Sequence, residues 1–214
     1  MNPTQWTAIG LACLATASAQ AAPFTNGSFE LHDPSIESDS SEPLVLAGET
    51  LLPGWDVLAG SINYVRFNRW QAADGDFSID LNGEHSDVYG IAQTFDTLAG
   101  QKYLVSFALS GNPDDAPSVK SFVVSAAGTA ATFTFDTTGH TRQSMQWLPQ
   151  SFTFTATGAS TTLRFDSQTT GPYGPALDNV RVTAVPEPSL MSLLIAGSAV
   201  AWRMRRRNQI TSSL

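Results

Sequence analysis

Large apolar side chains recur at every second position through much of the chain. Tyr103-Leu104-Val105-Ser106-Phe107-Ala108-Leu109 carries its larger side chains at alternate positions, and Ser151-Phe152-Thr153-Phe154-Thr155 alternates hydroxyl with aromatic. Thr132 to Phe135, Thr162 to Phe165 and Val180 to Val182 do the same, and Ile62 to Phe67, Phe77 to Leu81 and Ile91 to Phe95 are further candidates. Period two is the mark of a strand with one buried face. Pro53-Gly54, Asp74-Gly75, Asn82-Gly83, Ala99-Gly100, Gly111-Asn112-Pro113 and Gly171-Pro172 punctuate these runs as turns. No stretch of this region carries a helical period. Many short antiparallel strands predict an all-β sandwich or jelly roll. Thr25 to Leu31 is expected to be the first strand. Residues 31 to 50, rich in Ser, Glu, Asp and Pro, are expected to be a long loop.

The two ends break the alternation. Residues 1–21 read as a signal peptide, with an apolar or small-residue run from Ala8 to Ala19 and a cleavage site at Ala19-Gln20-Ala21. Its n-region lacks Lys and Arg, a departure from the usual pattern. At the other end, residues 185–214 contain Pro186-Glu187-Pro188, an apolar segment over 190–202, and a basic stop over 203–207 with Arg203, Arg205, Arg206 and Arg207. As a helix the apolar segment would span roughly 20 Å, short of a hydrocarbon core of about 30 Å. The arginines place the far end on the cytoplasmic side. A short hydrophobic helix used as a sorting signal fits this order better than a permanent anchor, the plainer alternative. The tail resembles the PEP-CTERM signal of Gram-negative bacteria. That resemblance implies Sec export, transient tethering at the inner membrane, cutting near Pro-Glu-Pro by an exosortase, and delivery to the cell surface or extracellular matrix.

Residues 22–184 then form one domain. It keeps seven of the 11 basic and 18 of the 19 acidic residues, a net charge of about −11. Such a surface disfavours nucleic acid and anionic lipid, and it supplies carboxylates for calcium. Most of those acids need only be solubilising. The single cysteine, Cys13, lies in the signal peptide. The mature domain therefore holds together without disulfides.

A succession of short motifs runs through the domain. Asn26-Gly27-Ser28-Phe29-Glu30 opens it, Leu52-Pro53-Gly54-Trp55 and Gly90-Ile91-Ala92-Gln93-Thr94-Phe95 follow, and Leu177-Asp178-Asn179-Val180 closes it. The succession resembles the bacterial choice-of-anchor C family. It is also similar to the related plant cell-wall domain and, more distantly, to family 4/9 and family 22 carbohydrate-binding modules. The resemblance implies a galactose-binding-like jelly roll. It also implies a structural calcium where first and last strands meet, with Glu30 and Asp178 as ligands. The alternative is that Glu30 caps a turn and Asp178 bonds to backbone amides. Asp74-Gly75-Asp76 and Asp80 to Glu84 lack the spacing of an EF-hand loop.

Sugar rings present apolar C–H faces that stack on aromatic rings, while amides and carboxylates fix the hydroxyls. Trp70, Tyr89, Trp147 and Tyr173 lie outside the clear apolar runs and are the candidate platforms. Trp55, Tyr64 and Tyr103 are expected in the core. Asp80, Asn82 and Gln93 are candidate helpers. His32, His85 and His140 are isolated, and neither a His-Glu-x-x-His motif nor a nucleophile elbow is present. The sequence thus points to an exported, non-enzymatic domain that binds or organises extracellular polysaccharide. A surface adhesin with a protein partner, and a carbohydrate-active enzyme, are the alternatives.

The processing reading makes a definite prediction. Mass spectrometry of the surface protein should find Ala22 or Pro23 at its N-terminus and nothing beyond about Pro188. A membrane form retaining Arg203 to Leu214 would show a permanent anchor instead. Changing Arg205, Arg206 and Arg207 to Ala should impair retention or orientation before processing.

Overall fold

Alternation of core-facing and outward side chains organises eleven strands into two sheets. The computed structural model describes residues 23–36, 40–84 and 90–186. The strands are β1 (Leu44–Leu46), β2 (Asp56–Ala59), β3 (Ser61–Arg66), β4 (Phe77–Asp80), β5 (Gly90–Asp96) and β6 (Lys102–Gly111). They continue with β7 (Val119–Ala126), β8 (Thr129–Asp136), β9 (Leu148–Thr155), β10 (Ser160–Ser167) and β11 (Pro175–Ala184). The six-stranded sheet runs β1-β3-β4-β11-β6-β9 and the five-stranded sheet β2-β5-β10-β7-β8. Every pairing within them is antiparallel. This is the expected galactose-binding-like jelly-roll sandwich. Among the described residues no helix is long and apolar enough to cross a membrane. The apolar segment 190–202, Glu187, Pro188 and the tail arginines lie outside the described residues, and Pro186 is exposed at their border.

The core lies between the sheets. Phe107, Phe122 and Phe165 meet there with ring centroids 5.5–6.0 Å apart. Trp55, Tyr64 and Tyr103 are buried, as their surroundings predicted. Strand β7 escapes the sequence pattern because Lys120 occupies a core-phase position, followed by buried Phe122, Val124 and Ala126. The Lys120 stem lies against Gly111, where an added Cβ would stand 2.6 Å from its Cγ, and its Nζ donates to the Asp115 carbonyl at 2.9 Å. Burial lowers the ammonium pKa, against the pull of Asp80 and Asp115.

The opening segment is not a strand. Asn26 and Phe29 take positive φ of 50° and 60°, and Phe29 N–H closes a turn onto the Asn26 carbonyl at 3.3 Å. The buried amide of Gln93 grips the backbone of Thr25 in place of a ladder, accepting from its N–H at 2.7 Å and donating to its carbonyl at 2.9 Å. Opening and closing motifs nevertheless meet: Val180 N–H donates to the Gly27 carbonyl at 2.7 Å. A side chain at Gly27 would put Cβ 1.9 Å from the Val180 carbonyl oxygen, so only glycine fits. The stretch expected to be loop contains β1 and a 3₁₀ turn at Pro34–Ile36.

One face of each sheet looks outward. On the six-stranded sheet, residues 67–76 and 137–147 cover part of that face over a second apolar cluster of Val65, Trp70, Met145 and Ala176. Gln71 N–H donates to the Arg142 carbonyl at 3.0 Å and ties the two covering segments together. Ser110 Oγ–H donates to the Met145 carbonyl at 2.6 Å and ties them to β6.

Candidate functional site

A cleft of about 390 Å³ opens beside this covering, where β4 and β6 end and β11 begins. Glu42, Asn63, Arg69, Glu84, Asn112 and Tyr173 line it, with Pro172 at the rim. Strand β3 presents Asn63 outward, opposite in phase to the core residues Ile62 and Tyr64. Its amide donates to the Glu42 carbonyl at 3.4 Å. Arg69 follows a tight turn closed by its own N–H on the Arg66 carbonyl at 2.9 Å. Its guanidinium bridges Glu42 and Asp114, each at 2.7 Å, and Arg142 holds the same Asp114. Burial raises the Asp114 carboxyl pKa against the pull of Arg69.

Asp80 supports the cleft from beneath. Cross-strand partners share a face, so the pairs Asn63–Asp80 and Asp80–Ala176 place Asp80 on the same outward side as Asn63. It is nevertheless buried. One carboxylate oxygen accepts from the N–H groups of Asn82 and Gly174, both at 3.0 Å. The other accepts from the Asn112 side-chain amide at 2.8 Å. Asn112 in turn accepts from Asp114 N–H at 3.0 Å. Buried Asn82 donates to the carbonyls of Thr169 and Gly171 at 2.8 and 2.6 Å, fixing the loop that carries Tyr173. A Cβ at Gly174 would stand 2.5 Å from both Asp80 Oδ1 and Asn82 Oδ1, so that loop can approach only as glycine. Burial pushes the Asp80 carboxyl up to about 7, against its three donors and the charge of Lys120.

The four aromatic candidates separate. Tyr173 is half-buried in the cleft, and Trp147 is half-buried on the same sheet face beside a second groove. Trp70 is 2% exposed and its indole N–H donates to Ser78 Oγ at 2.7 Å, so it is a core side chain with no ring face to offer. Tyr89 and His85 lie outside the described residues. The candidate helpers are framework as well: Asp80 and Asn82 hold the floor, and Gln93 holds the N-terminal segment. Glu42, Asn63, Arg69, Glu84 and Asn112 were missed, because their convergence comes from strand register and loops distant in sequence. Asn63 lies in the Ile62 to Phe67 run, Glu84 in the Asp80 to Glu84 stretch and Asn112 in the Gly-Asn-Pro turn, but none of these motifs marks its residue as part of a site.

Glu30 and Asp178 close on one turn. Glu30 Oε1 accepts from the N–H groups of Asp76 and Phe77, both at 3.0 Å. Asp178 Oδ2 accepts from Ala73 and Asp74 at 2.8 and 2.9 Å, and its other oxygen from Asn179. The Glu30 carboxylate lies against Gly75, which has φ +64° and no room for a side chain. Both acids therefore face backbone donors, the arrangement of the metal-free alternative. Among the described residues no group of three or more His, Cys, Asp or Glu converges to hold a metal.

The fold is that of a galactose-binding-like jelly roll. The chain belongs to the DUF642 family, described as a protein of unknown function, whose model matches residues 22–183. Halomucin of Haloquadratum walsbyi is 31% identical over 183 residues, which cover 84% of this chain and 2% of halomucin. The chain thus spans a small fraction of that relative. Among solved structures, an arabinose-bound family 51 α-L-arabinofuranosidase has a TM-score of 0.50 at 10% identity, covering 77% of this chain and 26% of that one. That likeness is one of fold. A family 61 carbohydrate-binding module in complex with β-1,4-galactotriose has a TM-score of 0.44 at 17% identity, covering 77% of this chain and 100% of that one.

The buried acids predict a pH dependence. Asp80 and Asp178 stand at about 7 against an ordinary 3.8, both raised chiefly by burial. Each binds its proton more tightly folded than unfolded. Its stabilising contribution is complete below about pH 4 and is lost as pH rises towards 7. Asp178→Asn cannot ionise, so its stability relative to wild type should increase from pH 4 to pH 7. Denaturant midpoints at both ends of that window check the sign, and a variant that loses stability relative to wild type between pH 4 and pH 7 would refute it.

Proposed function

We propose that this exported domain binds neutral extracellular polysaccharide in the Tyr173 cleft. The observation that supports this most is the lining itself. An aromatic ring stands beside two amides, a guanidinium and two carboxylates on a framework locked from below by Asp80. A pyranose ring stacked on Tyr173 would bury its C–H face, and its hydroxyls would find donors at Asn63 and Arg69 and acceptors at Glu42 and Glu84. The two glutamates disfavour a uronate at the same place. The tail motifs support the further reading that exosortase processing delivers the domain to the cell surface or matrix. Membership of the choice-of-anchor C group belongs to that same reading.

Affinity electrophoresis through neutral and acidic polysaccharides tests the proposal. Retardation is expected with neutral polymers, and Tyr173→Ala should weaken it by about 1–3 kcal/mol, the scale of burying one large side chain. Its circular dichroism should match wild type. Retention only on proteinaceous matrix would favour the adhesive alternative, and turnover of labelled glycan would favour an enzyme.

Calcium shared by Glu30 and Asp178 is a separate proposal, because an ion there needs oxygens where the 73–77 turn now presents N–H groups. A melting temperature raised by calcium in wild type but not in Asp178→Asn supports it. A melting temperature unmoved by calcium or chelator rejects it.

A further inference from the structure

The covering layer on the six-stranded sheet has a recess on each side. One is the Tyr173 cleft. The other is a groove of about 270 Å³, floored by Ser106 and Ala108 of β6 and walled by Trp147, Gln150, Asn179 and Arg181. We propose that this groove is a second site for a neutral pyranose, so that the domain holds polysaccharide at two places on one face. The inference rests on the polysaccharide reading above.

Trp147 is the platform. Its indole N–H donates to the Gln71 carbonyl at 2.8 Å, which fixes the ring at the edge of the covering layer. The ring packs against the Val65–Trp70–Met145 cluster yet stays half-exposed on the groove. An anchored aromatic with an open face loses little entropy when a sugar stacks on it.

The polar wall comes from a bulge in β11. Its register against β6 shifts between Asp178 and Arg181, and Asn179 takes φ +50° there. The extra residue re-aims the strand and brings Asn179 and Arg181 both to the groove. Asn179 Oδ1 accepts from Arg181 Nε–H at 2.9 Å and holds the guanidinium in place. Asp74 lies 3.7 Å from the same guanidinium. Asp74 is not part of the groove's lining, but its carboxylate offsets the charge of Arg181, and the groove's other polar groups are neutral, which suits a hydroxyl-rich ring.

Calorimetric titration with cellotriose, xylotriose and β-1,4-galactotriose tests the inference. Wild type should take up two molecules of at least one trisaccharide. Trp147→Ala and Tyr173→Ala should each take up one, and the double variant none. Arg181→Ala, which leaves the apolar cluster untouched, should weaken the Trp147 site alone. On the matching polysaccharide, either aromatic variant should lose about tenfold or more in affinity, because the sites then cease to cooperate through one chain. One trisaccharide per domain, lost in Tyr173→Ala and unaffected by Trp147→Ala or Arg181→Ala, would overturn the second site and leave the first standing. No uptake of any of the three would overturn both.

Discussion

The buried carboxylate of Asp80 is the constraint on which the functional face depends. It sits on the outward side of a sheet, where a strand would ordinarily meet water. Taking a carboxylate out of water costs on the order of several kcal/mol unless donors replace its hydration. Here three N–H groups offset part of that cost, from the end of β4, from Asn112 after β6, and from Gly174 before β11. Lys120, itself buried, adds charge from β7 in the other sheet. One side chain therefore fixes three loop positions, two of which adjoin or line the cleft. Loss of its charge would leave donors facing a group that accepts less well, so the cleft's geometry and the ionisation of Asp80 are linked.

The same device recurs further along the face. Asp178 and Glu30 hold the 73–77 turn by its backbone amides, and that turn belongs to the covering layer over Trp70. A covering segment with few apolar residues cannot dock on a sheet by hydrophobic burial alone. Carboxylate-to-amide bonds supply the attachment. This gives the opening Asn-Gly-Ser-Phe-Glu and closing Leu-Asp-Asn-Val motifs a physical basis. Gly27 admits the last strand, Phe29 and Leu177 enter the core, and Glu30 and Asp178 hold one turn.

The strands were legible where large apolar side chains held successive core-facing positions, as in β6, β9 and β10. They were hidden where a polar residue took a core position, as Lys120 does in β7. The opening segment carries apolar residues in strand-like array, yet positive φ at Asn26 and Phe29 folds it into turns. Such a conformation depends on the Gln93 clamp from far along the chain, which local sequence does not contain. Trp70 and Trp147 show the same limit at the site. Both occur in loops and both indole N–H groups are satisfied, but only the register of the covering segments buries one and leaves the other open.

Why recognition should concentrate on the six-stranded sheet follows from the two outward faces. The strands of the five-stranded sheet contain neither Trp nor Tyr. Some of their outward polar groups satisfy one another: Thr94 with Thr162 at 2.8 Å, and Arg164 with Asp166 at 2.7 Å. That face offers no ring to stack on. The six-stranded sheet instead spends part of its face on a covering layer held by buried acids. The edges of that layer are where half-exposed aromatics can be fixed without being buried. Tyr173 and Trp147 stand at two such edges, and a flat sheet could not have oriented either one.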